Sequence, residues 1–291
     1  MQYNKFLILG GDLRNVFLFD CLKKEEKKVR IAGFSEYKND KKPFIQNAGD
    51  LKKAVANTEV IIGPTPCCSN GLNLNTPFHN KVILITELFD VMTEGQLFIA
   101  GLISPEVRAL AFEKSIPVFD ILQREEMAFL NAIPTAEGAI QVAFETMKTT
   151  LHGSNAMILG FGRVSKMLAK MLQGIGANVY VVNRKHADAA LIRGYGYKSL
   201  RFEELPAKLG HMDVIFNTVP HTVLDKSNLK YIREDTTIIE LAAKPFGIDA
   251  EEAKKEGLTI IWSPSLPGKV APITTAKYNM ETVFNILEQF E

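Results

Sequence analysis

Short apolar runs alternate with amphipathic stretches along the first 120 residues. Phe6-Leu7-Ile8-Leu9 reads as a buried strand closed by Gly10-Gly11-Asp12, and Val16 to Leu22 as a helix whose polar face continues into Lys23 to Lys28. Further strand-like runs are Val29 to Ala32, Val60 to Ile62, Val82 to Ile85, Leu97 to Ile99 and Pro117 to Phe119. Pro105 to Lys114 carries a helical pattern with its proline in the first turn. Strands this short, separated by helices, imply a mainly parallel sheet covered on both faces.

From Thr135 to Thr150 a broad apolar stripe predicts a long helix, with Pro134 before it and Gly153 after it as punctuation. A second α/β unit then begins, with strands expected over Ala156 to Leu159, Val179 to Val182, Val214 to Phe216, Ile238 to Leu241 and Thr259 to Trp262. Ile273 to Phe290 reads as a closing helix. The expected organisation is an N-terminal substrate-side α/β domain (1–133), a connecting helix (134–150), a nucleotide-binding domain (151–270) and a C-terminal helix bracing the lobes (271–291).

The strongest local signal is Met157-Ile158-Leu159-Gly160-Phe161-Gly162-Arg163-Val164-Ser165: a strand, two glycines, then a helix. Gly160 permits a tight turn, Gly162 lets backbone approach a pyrophosphate, and Ser165 is small enough for the helix to pack on the sheet. Free amides at the helix start, with the helix dipole, then hold an anion. This is the Rossmann-type pattern, so the fold class is α/β with two lobes. One is a Rossmann dinucleotide-binding domain, the other an N-terminal flavodoxin- or Rossmann-like parallel-sheet domain. At the end of the next strand, an NAD reader carries Asp or Glu for the ribose. This chain has Asn183-Arg184-Lys185, where a carboxylate would repel a 2′-phosphate and two cations would pair with it. The expected cofactor is NADP rather than NAD.

Three strand-end loops are expected to wall the ligand crevice: Thr218-Val219-Pro220, the segment with Ala242 and Lys244, and the segment with Leu266 and Pro267. The chain carries 34 basic and 33 acidic residues, a net charge of +1 that speaks against a nucleic-acid surface. With 46% hydrophobic and 23% charged residues it reads as a folded globular protein, and no run approaches the ~18 apolar residues of a membrane span. The N-terminus enters a strand at once, without a signal peptide. Cys21, Cys67 and Cys68 lack the spacing of a zinc site or a disulfide framework and suit a reducing cytoplasm.

Four segments carry a resemblance: Gly10-Gly11-Asp12-Leu13-Arg14, Asn131-Ala132-Ile133-Pro134-Thr135-Ala136-Glu137-Gly138, Gly160-Phe161-Gly162-Arg163, and Leu266-Pro267-Gly268 with Ala271-Pro272. In this order they resemble the family of dipicolinate synthase A subunits from spore-forming bacteria. The resemblance implies an NADP-dependent oxidoreductase making pyridine-2,6-dicarboxylate from a hydroxylated tetrahydrodipicolinate of the lysine pathway. It also implies a partner, the dipicolinate synthase B subunit, and the mother-cell cytoplasm during sporulation. A homo-oligomer is expected from the sheet edges and the C-terminal helix.

A small-molecule dicarboxylate substrate needs cations or amide donors, and its oxidation needs a proton acceptor. Arg14 is positioned to fork onto a carboxylate, or to pair with Asp12. Thr135 and Asn131 are substrate-binding candidates at the expected helix start, where Thr135 would also serve as a cap. Lys269 either binds the substrate or is a solvated loop lysine. Glu137 and His221 are the candidate catalytic proton carriers. No metal site is expected. Rival readings are an NADP-dependent shikimate-type or 2-hydroxyacid dehydrogenase, and a non-catalytic NADP-binding scaffold for a partner protein.

Overall fold

The computed structural model describes residues 3–37 and 51–290. They fall into two compact units: Met1–Leu130 with Ala271–Glu291, and Asn131–Val270. No helix among the described residues is long and apolar enough to cross a membrane.

The first unit is built on β1 (Lys5–Leu9), β2 (Lys28–Ala32), β3 (Val60–Ile62), β4 (Cys68–Asn70), β5 (Asn73–Leu74), β6 (Leu97–Ala100) and β7 (Val118–Asp120). Five of these form a parallel sheet in the order β2-β1-β3-β6-β7, while β4 and β5 pair as a separate antiparallel hairpin. The strands are apolar on both sides because both sides are covered. Phe6 and Ile8 pack on one face with Val16 and Phe19 of the helix Leu13–Lys24 and Val283 and Ile286 of the helix Pro272–Glu288. Leu7 and Leu9, one residue out of phase, pack on the other with Leu88 and Val107. Asp12 starts the first helix by accepting the Arg14 amide, and Lys23 and Lys24 favour its negative end.

The second unit carries β8 (Asn155–Leu159), β9 (Asn178–Val182), β10 (Lys198–Leu200), β11 (Val214–Asn217), β12 (Thr237–Glu240) and β13 (Ile260–Trp262). All pairings are parallel and the order is β10-β9-β8-β11-β12-β13. The strand order reverses between β8 and β11, the place where such sheets bind dinucleotides. In the first unit the corresponding reversal lies between β1 and β3. The α/β class and the two parallel-sheet domains expected from the alternation of runs are therefore the observed ones.

Several local expectations are corrected. Pro134 does not precede the long helix but lies inside it: the helix runs Glu125–Thr146 and opens on two acidic residues. An interior proline costs about 3 kcal/mol because it removes an amide donor and crowds the preceding turn. Burial of Ala136, Ala139, Ile140 and Ala143 against the second sheet offsets that cost. Val82 to Ile85 is not a strand: Val82 is exposed, Leu84 makes only an isolated bridge with Asn73, and Ile85 opens the helix Ile85–Val91. The segment after Trp262 is not all loop, since Leu266–Val270 is helical and Leu266 is a core residue. The hairpin β4–β5 and the edge strand β10 were not anticipated, because Cys68-Ser69-Asn70, Asn73-Leu74 and Lys198-Ser199-Leu200 are short and mostly polar and so carry no apolar run.

Candidate functional site

Leu159 ends β8, and the chain turns at Gly160 with φ +96. A side chain there would be strained and would place its Cβ 2.8 Å from Val219 Cγ2 and 2.9 Å from Thr218 Oγ1. Gly162 then opens the helix Arg163–Ile175 with no side-chain cap, and a Cβ on it would meet nothing within 4 Å. The first-turn amides of Val164 and Ser165 are thus left for an outside acceptor. Ser165 is fully buried, and its hydroxyl lies 2.8 Å from Thr218 Oγ1. Thr218 gives its own proton to the Leu159 carbonyl at 2.8 Å, so Ser165 is the donor between them. These bonds tie the glycine turn to the loop after β11, across the reversal of the sheet.

A cavity of about 630 Å³ opens there, within the range of small-ligand sites. It brings together Gly160, Phe161, Gly162, Asn183, Arg184, Lys185, Thr218, Val219, Pro220 and His221, all expected from the sequence. It adds four residues that were not: Asp188, Phe202, Thr222 and Val223. Asp188 sits in the first turn of the helix His186–Gly194, and Phe202 follows β10; with β10 unrecognised, nothing along the chain pointed to Phe202. Arg201, beside Phe202, donates to the Arg184 carbonyl at 2.6 Å and adds a third cation at this edge.

Asn183 is 2% exposed and lines the same cavity. Its Nδ2 donates to Ser199 Oγ at 2.8 Å and to the Leu200 carbonyl at 3.2 Å, while its Oδ1 is buried without a partner among the described residues. An orphaned buried acceptor costs about 1–3 kcal/mol, so this site is short of one donor. A nucleotide ribose hydroxyl would supply it. The orphaned acceptor, the uncapped helix start and the open space over Gly162 all fit a dinucleotide.

Other predicted residues are placed differently. Ala242 is half-buried and Lys244 exposed in the loop after β12, outside the cavity lining. Pro267 is half-buried and Lys269 exposed on the helix Leu266–Val270. Leu266 packs inside the second unit and lies outside the cavity lining. Thr135 caps nothing: in mid-helix its hydroxyl donates to the Asn131 carbonyl at 2.7 Å, and there is no helix start beside it to receive a carboxylate. Asn131 is half-buried with Oδ1 lacking a partner among the described residues, and Glu137 is exposed. His221 is exposed on the cavity rim.

Arg14, 7% exposed, is spoken for by its neighbours. Its Nε lies 2.9 Å and its Nη2 2.8 Å from the two Asp12 oxygens, and Nη2 also donates to the Thr65 carbonyl. The pairing alternative is the observed one, leaving only Nη1 for a further acceptor. Cys67 and Cys68 are free thiols with sulfurs 3.9 Å apart. The contact with Cys68 and burial push the Cys67 thiol up, and the same contact draws Cys68 down. Among the described residues no group of three His, Cys, Asp or Glu could hold a metal.

Sequence reasoning also missed Glu240. It ends β12 at 2% exposure, accepting from the Asn217 amide and from the Ala242 and Gly247 backbones. Burial holds its carboxyl above the usual range, against the pull of those donors. The signal was present: a carboxylate closing the apolar run Ile238-Ile239 cannot face solvent in a strand covered on both sides.

Residues 5–122 match the family of N-terminal domains of the dipicolinate synthase A subunit, and residues 128–243 the NAD-binding domain of D-isomer-specific 2-hydroxyacid dehydrogenases. The dipicolinate synthase A subunit of Bacillus subtilis (strain 168) is 26% identical over 298 aligned positions, spanning 99% of this chain and 97% of that protein. The crystal structure of the dipicolinate synthase A subunit from Bacillus halodurans is 26% identical with a TM-score of 0.87, covering 99% of each chain. A transhydrogenase from Sinorhizobium meliloti, 13% identical over 98% of this chain and 94% of its own, shares the fold with a TM-score of 0.69. The chain therefore resembles the A subunit of dipicolinate synthase along its length. Its second unit is a nucleotide-binding domain of the dehydrogenase kind, which supports a nicotinamide cofactor.

Proposed function

We propose that the protein is an NADP-dependent oxidoreductase that forms pyridine-2,6-dicarboxylate from a hydroxylated tetrahydrodipicolinate, working with a B subunit. The observation that carries the cofactor half is the cavity edge Asn183-Arg184-Lys185, supported by Arg201, at the place where an NAD reader has an acid. The substrate half rests on the likeness to the dipicolinate synthase A subunit, and the partner on that relative's being named as one subunit of its enzyme.

When bound, the nicotinamide supplies a hydride acceptor. The protein's own groups do the rest. The amides of Val164 and Ser165 take the pyrophosphate, with the helix dipole adding to each bond. Asn183 Oδ1 accepts from a ribose hydroxyl, and Arg184 and Lys185 pair with the 2′-phosphate. Phe202 and Val219 give the cavity apolar wall. Aromatising the substrate ring removes one water and two hydrogens, so a proton acceptor is required; His221 on the rim and Glu137 are the two assigned candidates. Lys269 is the exposed ammonium suited to a carboxylate. Asn131 Oδ1, an acceptor, suits a ring N–H or hydroxyl instead. Arg14 Nη1 and the Thr135 hydroxyl have lesser capacity, being engaged by Asp12 and Thr65 and by the helix backbone respectively.

The test is reduction of NADP by the purified chain given hydroxytetrahydrodipicolinate, read as nicotinamide absorbance in a single turnover. Reduction without a partner supports an enzyme. Tight NADP binding with no reduction, restored by no added B subunit, supports a scaffold. A second reading, a 2-hydroxyacid dehydrogenase, is favoured by the match of residues 128–243. Turnover of a 2-hydroxy acid in place of the ring substrate would establish it.

A further inference from the structure

Glu240 is surrounded by donors. Asn217 Nδ2 lies 2.8 Å from Oε1 and 2.9 Å from Oε2. The Ala242 amide donates to Oε1 at 2.8 Å and the Gly247 amide to Oε2 at 3.1 Å. Two of these connections, through Asn217 and Gly247, lead on to the loop that walls the cavity. Asn217, fully buried, donates to the Val219 carbonyl at 3.0 Å and accepts the Val219 amide at 3.1 Å. The Gly247 carbonyl accepts the Val223 amide at 2.8 Å and the Leu224 amide at 3.1 Å. Gly247 must be glycine, because a Cβ would collide with Asn217 Nδ2 and the Val219 carbonyl. Residues 218–223 are thus tied at both ends to one carboxylate that is not itself among the residues lining the cavity.

We propose that Glu240 is a positioning residue for nucleotide binding: acting through Asn217 and Gly247, its carboxylate holds residues 218–223 in the shape that receives the nucleotide. The inference rests on reading the cavity as the NADP site. An ionised carboxylate is the one side chain of this size that accepts everywhere. A glutamine would set its NH₂ against Asn217 Nδ2 in either orientation, and against the Gly247 amide in one and the Ala242 amide in the other, so the link through Asn217 meets a donor whichever way it flipped.

The test is fluorescence titration of the full chain with NADPH, for the wild type, Glu240→Gln and Asn217→Ala. Wild type is expected to bind, Glu240→Gln at least tenfold more weakly while keeping a cooperative melting transition. Across a series of pH values, the wild-type Kd should carry an acid limb that Glu240→Gln lacks. A residue that merely stabilised the fold would lower the melting temperature and leave the Kd of the folded fraction and its pH profile unchanged. Should Glu240→Gln fail to fold, Asn217→Ala decides, since it cuts the link to Val219 and leaves the backbone bonds of Glu240 in place. Wild-type affinity in the folded variants overturns the inference alone. Failure of the wild type to bind NADPH overturns the cavity assignment and the inference with it.

Discussion

Replacing Gly162 by serine separates anion binding from folding. Gly162 has φ −84 and ψ −165, extended backbone that serine adopts freely, and its Cβ would point into open space. As the residue capping the helix Arg163–Ile175, serine offers its hydroxyl to the Val164 or Ser165 amide and exceeds glycine as a cap by a few tenths of a kcal/mol. The melting temperature should therefore hold steady or rise by about 1 °C, taking roughly 2–4 °C per kcal/mol for a protein of this size. The same hydroxyl takes an amide meant for the pyrophosphate. Losing one charge-assisted bond of about 1.5–3 kcal/mol weakens NADPH by roughly 10- to 150-fold. Gly160→Ala is the counterpart, with strain of about 1–3 kcal/mol from φ +96 before any collision with Val219 and Thr218 is counted. It should melt several degrees lower. Calorimetry and fluorescence titration on the two variants read both effects. Wild-type NADPH affinity in Gly162→Ser would show that no anion lies on those amides, and the cofactor argument would go with it.

Three further outcomes follow from the same geometry. Arg184 and Lys185 are exposed, and exposed ion pairs contribute about 0.2–1 kcal/mol each. Their joint replacement by alanine should therefore weaken NADPH roughly 2- to 30-fold, less than buried contacts would give, and leave NADH unchanged; equal losses for both nucleotides would remove the 2′-phosphate assignment. Arg14→Leu strands the Thr65 carbonyl and the half-exposed Asp12, so unfolding should come about 1–3 kcal/mol easier, and an unchanged melting curve would mean the pair with Asp12 is idle. Glu240 binds its proton more tightly folded than unfolded, its carboxyl standing above the ordinary 4.5. Its contribution to stability is thus full below 4.5 and lost as pH rises through the raised value; denaturant titrations across that window should show a decline that Glu240→Gln flattens.

The chain's local chemistry reaches far into this site but not all the way. Gly160, Gly162, Asn183 and Thr218 were identifiable because each acts through its position at a strand end, and strand ends are marked by apolar runs stopping at small or polar residues. Phe202 was not, since it reaches the cavity only once β10 is laid beside β9, and Asp188 was not, since its place depends on how the helix His186–Gly194 turns its first residues toward the cavity. Thr135 misled because proline usually punctuates a helix, and the rule yields when enough apolar surface is buried around it. The Arg14 alternatives could be weighed from sequence but not resolved, as Thr65, its second partner, is 51 residues away.

The order of apolar runs, the glycine turn and the basic edge after β9 are properties of short stretches, decided by whether a backbone can turn and whether a run can be buried; the sequence alone settled them. Pairing order, the helix through Pro134 and the Glu240 tether depend on partners brought together from distant positions. Asn217 and Gly247 matter to Glu240 only after β11 and β12 lie side by side. Burying a lone carboxylate is unfavourable anywhere along an isolated chain, and becomes tolerable only when folding delivers donors to both of its oxygens.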